Sequence, residues 1–332
     1  MARATVLLPF RNASASLDAA IASIAQQTHF NWNMLLIDNA STDESPGIAK
    51  RWVDRDARIT LLHESRIGIA HALNTGLNHA EGAYIARMDA DDLSHPERLA
   101  KQVAWLEAHP EVGVLGTRTA FSSTVEESRG MRSFVLWQDA IITPHEHYVK
   151  RFVDAPLAHP TVMFRRALVE LHGGYDTGPL PEDHELWLRW MDAGVRFAKL
   201  PEELLTWNDH AHRLSRTHAN YSVDAFFRNK VKWLAKWMKR SVNGRPVIIA
   251  GTSGLCRDRA EKLEAEGVVI HAFTDVMPRA VPGRAFIPHD RLPPAGEAFI
   301  VSFISQRGTG DRIAEFLVSR GLAEGEDFIL AA

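Results

Sequence analysis

Three carboxylates, Asp89, Asp91 and Asp92, crowd into four residues directly after the apolar run 83–88. Like charges held that close repel one another, and the arrangement costs free energy unless a cation offsets it. Mg²⁺ and Mn²⁺ prefer oxygen ligands, and Mg²⁺ commonly bridges one or two carboxylates to substrate phosphates. The simpler alternative is a solvated acidic turn in which Asp92 caps a helix. A second polar loop, Asp38-Asn39-Ala40-Ser41-Thr42-Asp43, ends another apolar run at 32–37. Loops of this composition are common, and its meaning depends on where it sits.

The flanking pattern supplies that position. Short apolar runs at 4–9, 32–37, 59–63 and 83–88 read as strands, the first, ended by Pro9, as one buried on both faces. Between them, stretches at 16–27, 42–52 and 68–80 have helical spacing, and Pro96 opens a further helix to 109. Alternating strands and helices predict a doubly wound sheet, which binds ligands outside the carboxyl ends of its strands. Both acidic loops fall at such ends. From 112 to 205 the pattern is less regular, with extra strands and a helix at 183–193. A basic helix at 224–240 carries Trp233 and Trp237. The chain then restarts with strands at 246–250, 268–273 and 298–303 and helices at 255–266 and 311–320. The expected organisation is a first domain over 1–222, a linker helix over 223–243 and a small Rossmann-like α/β domain over 244–332.

Composition narrows the class. The chain has 332 residues, 45% of them hydrophobic, and a net charge of −3. That balance argues against a general nucleic-acid binder. A single cysteine, Cys256, excludes an intramolecular disulfide and fits a reducing compartment. The N-terminus lacks the apolar stretch of a secretory signal, and no window approaches the roughly 20 apolar residues that span a bilayer. The expected location is the cytoplasm, with peripheral contact at the inner membrane face if the basic aromatic helix rests on anionic lipid. Packing of Phe227, Leu234 and Trp237 between the two domains is the favoured reading of that helix.

The order of segments is more specific than any one of them. Pro9-Phe10-Arg11-Asn12 comes first, then Asp38-Asn39-Ala40-Ser41-Thr42-Asp43, then Arg87-Met88-Asp89-Ala90-Asp91-Asp92. His159-Pro160-Thr161-Val162 and Pro181-Glu182-Asp183-His184-Glu185 follow. Together they resemble the family 2 glycosyltransferases of GT-A fold, over about residues 4–215. The resemblance implies an inverting enzyme that moves a sugar from a nucleotide-sugar donor, UDP- or dTDP-linked, to a hydroxyl of a glycan or lipid-linked acceptor. Pro9, Phe10 and Asn12 would line the nucleotide, and Asp38 and Asn39 would lie near the base. Relatives often have two adjacent acids there; here the second is Asn39, whose amide oxygen still accepts a hydrogen bond. Asp89 would hold the donor, and Asp91 and Asp92 would hold Mn²⁺ or Mg²⁺. Asp183 matches the family's catalytic base, with Glu182 and His159 on the acceptor side. The chemistry agrees, because an attacking alcohol must lose a proton and a departing diphosphate gains charge. Arg213, in the segment His210-Ala211-His212-Arg213 that closes the domain, could pair with the diphosphate.

Two other functions compete. A sugar nucleotidyltransferase would place a glycine- and arginine-rich loop after the first strand, where this chain has Phe10-Arg11-Asn12-Ala13-Ser14. A non-catalytic nucleotide-sugar-binding regulator has no need of intact carboxylates. The tail turn Gly251-Thr252-Ser253-Gly254 lacks a full Gly-x-Gly-x-x-Gly, so a structural, oligomerising or acceptor-recruiting module is expected there.

Overall fold

The structure, a computed structural model, describes residues 3–125, 128–277, 281–305 and 308–332. The chain forms two compact units. The first runs to His147 and resumes from Pro156 to Tyr221, and the second comprises Tyr148–Ala155 and Ser222–Ala332.

The first unit is built on eight strands: β1 (Ala4–Phe10), β2 (Trp32–Asp38), β3 (Ile59–His63), β4 (Tyr84–Arg87), β5 (Leu93–Ser94), β6 (Val112–Ser123), β7 (Met163–Arg165) and β8 (Arg196–Asp209). Their order is β3-β2-β1-β4-β7-β6-β8-β5. Strands β1 to β4 run parallel, β7 is antiparallel to β4 and β6, and β6 runs parallel to β8. Every residue of β1 and β2 is buried. Alternate side chains point to opposite faces, so each face has its own core. Val6, Leu8, Leu36 and Leu99 lie in one, and Leu7, Ile37, Leu73, Ile85, Leu186 and Trp187 in the other. The expected α/β architecture is thus observed, and the irregular stretch resolves into β6, β7 and β8.

Register brings the loops together. Phe10 pairs with Asp38 at the carboxyl ends of β1 and β2. Arg87, the last residue of β4, pairs with Leu7, so the chain turns out at Asp89 beside the end of β1. Arg98 is fully buried and reaches back to the Arg87 carbonyl at 3.0 Å and the Pro160 carbonyl at 2.6 Å. Gln102 donates to the Thr161 carbonyl at 2.9 Å. One helix, Arg98–Ala108, therefore anchors both the strand before the acidic cluster and the loop that carries His159.

The second unit holds a parallel sheet of β9 (Val247–Ala250), β10 (Ile270–Thr274), β11 (Ala285–Phe286), β12 (Phe299–Ser302) and β13 (Phe328–Leu330), ordered β11-β10-β9-β12-β13. The basic helix, Val223–Ser241, belongs to this unit, and the Ser222 side chain caps it. Phe227 and Trp237 are buried and pack edge-on against Phe303 and Phe299. Lys230 Nζ donates to the Phe152 and Val153 carbonyls at 3.0 and 2.9 Å, which ties the excursion Tyr148–Ala155 into the same unit. Among the described residues, no helix is long and apolar enough to cross a membrane. At the end of β9 the turn needs glycine: Gly251 has φ 111°, and a Cβ there would meet Cys256 Sγ at 2.6 Å. Asp275 Oδ2 accepts from both the amide and the hydroxyl of Thr252, so this turn is held by an acid of its own unit.

Candidate active site

The acidic cluster is assembled from β4 and from the far end of β8. Oxygens of Asp89, Asp91 and Asp92 lie within 4.8 Å of one another. Arg87 Nη2 donates to Asp89 Oδ1 at 2.6 Å, and Arg213 Nη2 to Asp89 Oδ2 at 3.0 Å. Asp92, fully buried, accepts from the Asn208 amide at 2.9 Å and from Arg213 Nη1 at 3.1 Å. Asp91 faces His210, with Nε2 2.8 Å from Oδ2. The three carboxylates thus differ. Asp92 fastens the 208–213 segment onto the cluster, Asp89 is shared by two arginines, and Asp91 is the most exposed of the three, at 24%.

Electrostatics follows from this geometry. Burial raises Asp89, but the cations of Arg87 and Arg213 outweigh it and hold its carboxyl below the ordinary range. Burial, reinforced by the charges of Asp89 and Asp91, pushes Asp92 up to about 8 against the pull of Arg213. The donors are hard oxygens in a compact group, which suits Mn²⁺ or Mg²⁺. Arg213 was expected to pair with a diphosphate; in the structure its fork engages Asp89 and Asp92. Arg216 is forked in the same way on Asp209, at 2.7 and 2.6 Å.

The nucleotide-side loops are latched to one another. Asn12, with φ 51°, accepts the Thr42 amide on its side-chain oxygen at 2.8 Å, and its own amide donates to Ser41 Oγ at 3.1 Å. Asp38 accepts the Ser41 amide at 3.0 Å. Pro9 and Phe10 are buried at the end of β1, with Phe10 in the core. Asn39 is buried, and its amide stitches the next loop: Nδ2 donates to the Glu64 and Arg66 carbonyls at 3.0 and 2.8 Å, and Oδ1 accepts from the Gly68 amide at 2.8 Å. An acid at this position would set a carboxylate against two carbonyl oxygens. Asn39→Asp is therefore expected to destabilise the fold by about 1–3 kcal/mol, the cost of a broken buried polar pair. Urea unfolding would measure it, and an unchanged midpoint would contradict the assignment.

The base candidate sits at the start of the helix Glu182–Asp192. Pro181 occupies the cap position, so Asp183 is not the N-cap; its Oδ1 accepts the His184 amide at 2.7 Å. Burial and then the charge of Glu182 push Asp183 up to about 8. Glu182 and His159 are both buried, and their polar atoms face each other, 3.7 Å apart. The buried Arg87 acts electrostatically on both acidic groups. It is 1% exposed, it bonds Asp89, and its positive charge stabilises the ionised forms of both Glu182 and Asp183.

Four contributors have no role in the motif reading: Arg87, Tyr175, Tyr221 and His210 as a partner of Asp91. Arg87 carried a usable signal, since an arginine inside a buried strand must find acidic partners. The tyrosines carried none, because their hydroxyls matter only through contacts far away in sequence.

A mixed sheet with an acidic cluster beyond its fourth strand and an acidic pair at a helix start fits a transferase of GT-A fold. Residues 5–173 match the model described as Glycosyl transferase family 2, and the chain belongs to that family. EpsE of Bacillus subtilis (strain 168) is 34% identical over 227 residues, covering 67% of this chain and 78% of that protein. The amylovoran biosynthesis glycosyltransferase AmsE of Erwinia amylovora is 31% identical over 191 residues, covering 57% of this chain and 69% of that protein. The mannosyltransferase PcManGT from Pyrobaculum calidifontis, solved in complex with GDP-Man and Mn²⁺, matches with a TM-score of 0.50 at 26% identity, over 72% of this chain and 64% of that one. The family and fold expected from the five segments are borne out.

Proposed function

We propose that this glycosyltransferase moves a sugar from a nucleoside diphosphate sugar to a hydroxyl acceptor with inversion, in the assembly of a cell-surface polysaccharide or glycolipid. The observation that carries the reading is the compact group of Asp89, Asp91 and Asp92 oxygens beyond β4, with Arg87 bonded to Asp89 and its charge favouring the ionised form of Asp183. It supports a single cleft with donor-holding carboxylates on one side and a proton acceptor on the other. The pathway is supported by AmsE, whose name places it in amylovoran biosynthesis.

Asp91 would hold Mn²⁺ or Mg²⁺ together with Asp89, in place of the expected Asp92, which is fully buried on the Asn208 amide and Arg213 and sets the position of the segment behind them. The ion supplies charge neutralisation for the departing diphosphate. Arg213, anchored on Asp89 and Asp92, adds fixed positive charge beside the same group without further reorganisation. Asp183, ionised, takes the proton of the acceptor hydroxyl as that oxygen attacks. One base and one held leaving group suit a single in-line displacement, which inverts the anomeric centre. The nucleotide is left to measurement: the sequence pointed to UDP or dTDP, whereas PcManGT holds a GDP sugar.

A thermal-shift panel of UDP-, dTDP- and GDP-sugars with Mn²⁺ tests the reading, since a ligand of the folded state raises its melting temperature. One nucleotide class is expected to stabilise the protein in a metal-dependent way and then to be turned over. Release of pyrophosphate from a nucleoside triphosphate would point to a nucleotidyltransferase instead.

A further inference from the structure

Glu182, the residue before the candidate base, has a polar side chain on each side of its carboxyl. The Tyr221 hydroxyl donates to Glu182 Oε2 at 2.6 Å. On the other side His159 Nδ1 lies 3.7 Å from Oε1, while His159 Nε2 is 2.9 Å from the Tyr175 hydroxyl. His159 also packs edge-on against Trp187, with ring centroids 5.8 Å apart. Glu182, His159 and Tyr175 are each buried. A polar chain from Tyr221 through Glu182 and His159 to Tyr175 therefore runs through the interior beside the first turn of the helix that carries Asp183. Tyr221 ends the short turn Ala219–Tyr221, far from this helix in sequence.

Two adjacent carboxyls, one buried and one partly buried, ionise together only at a large penalty, so what stabilises one decides the other. We infer, resting on the reading of Asp183 as the base, that Tyr221 is a positioning residue for it, acting through Glu182: its hydroxyl holds the neighbouring carboxyl and so governs how readily Asp183 ionises.

The electrostatic directions agree with the geometry. Burial raises Glu182, and the Tyr221 hydrogen bond is the largest influence opposing that rise. The charge that Glu182 keeps works against the ionisation of Asp183. Arg87 favours the ionised form of both carboxyls, and Asp89 adds a like charge against Glu182. The His184 amide favours ionised Asp183. Burial and then Arg87 keep His159 neutral. Burial and the two carboxylates hold Tyr221 protonated, as burial with the same carboxylates holds Tyr175. Removing the Tyr221 hydroxyl takes a donor from charged Glu182, which then holds a proton to higher pH. Asp183, relieved of a like charge, ionises at lower pH.

The test is a ¹³C NMR titration of the full chain with aspartate labelled at its side-chain carboxyl. The Asp183 signal is assigned by its loss in Asp183→Asn. In Tyr221→Phe its midpoint is expected to fall by roughly one pH unit, and in Glu182→Gln at least as far. The double variant is expected to match Glu182→Gln, because the hydroxyl acts only through that carboxyl. A tyrosine that merely packs would leave the midpoint in place, and that result, or a further fall in the double variant, overturns the proposal. Should Tyr221→Phe fail to fold, Glu182→Gln decides, and an unmoved Asp183 midpoint there overturns it too. The titration needs no turnover, so its outcome is separate from the activity test of Asp183 as base.

Discussion

Asp183→Asn is expected to lower the rate of sugar transfer by about 10²–10⁴-fold, the usual contribution of a positioned general base. Asparagine keeps the shape and can still accept the His184 amide through its side-chain oxygen, as Asp183 does at 2.7 Å. What it lacks is a site for the proton of the attacking alcohol. The loss should therefore appear in kcat with the KM for donor little changed, the pattern of an interaction made only in the transition state. The pH dependence has a definite sign. Burial and Glu182 push Asp183 up to about 8, and the reactive form is the ionised one, so activity should fall as pH drops through that value and level off above it. Steady-state kinetics across pH would show both effects. Full activity in Asp183→Asn would remove the base from the mechanism.

Removal of the divalent cation should have an effect of similar size. Lewis-acid stabilisation of a departing oxygen is worth several kcal/mol, which corresponds to roughly 10³-fold in rate. Chelation is expected to abolish transfer and added Mn²⁺ to restore it. Asp91→Asn should reproduce the loss at ordinary metal concentration and be partly rescued at high metal. Asp91 is the informative position because its carboxylate is more exposed than Asp89 and Asp92. Asp92, by contrast, is fully buried and carries Arg213 and the Asn208 amide, so replacing it would confuse catalysis with folding. Transfer that persists undiminished in chelator would show that Arg213 and Arg87 suffice to neutralise the leaving group.

Much of this arrangement could be read along the chain because its signals are local. Apolar runs of strand length, each ending in polar turn residues, placed Asp38 and Asp89 at carboxyl ends of strands before any contact was known. The observed β2 and β4 end where those runs end, at Asp38 and Arg87. The acidic pair at the head of a helix was visible in the same way, one residue from the observed start at Glu182. The stretch from 112 to 205 was poorly legible because β6 and β8 are long and partly exposed, and they pair with shifts in register that leave no clean period. The short strands β11 and β13 were too brief to register.

By itself, then, the order of residues determined the fold class, the family and the acidic residues that could do chemistry, since propensity, periodicity and motif spacing act over a few residues at a time. Only the tertiary structure decided how those acids are charged and held. The pairing of Arg213 with Asp92 spans 121 residues and that of Tyr221 with Glu182 spans 39. It also showed that Asn39 closes a loop through its side chain. A carboxylate's proton affinity depends on burial and on charges a few ångströms away, and such neighbours are brought together by folding rather than by sequence.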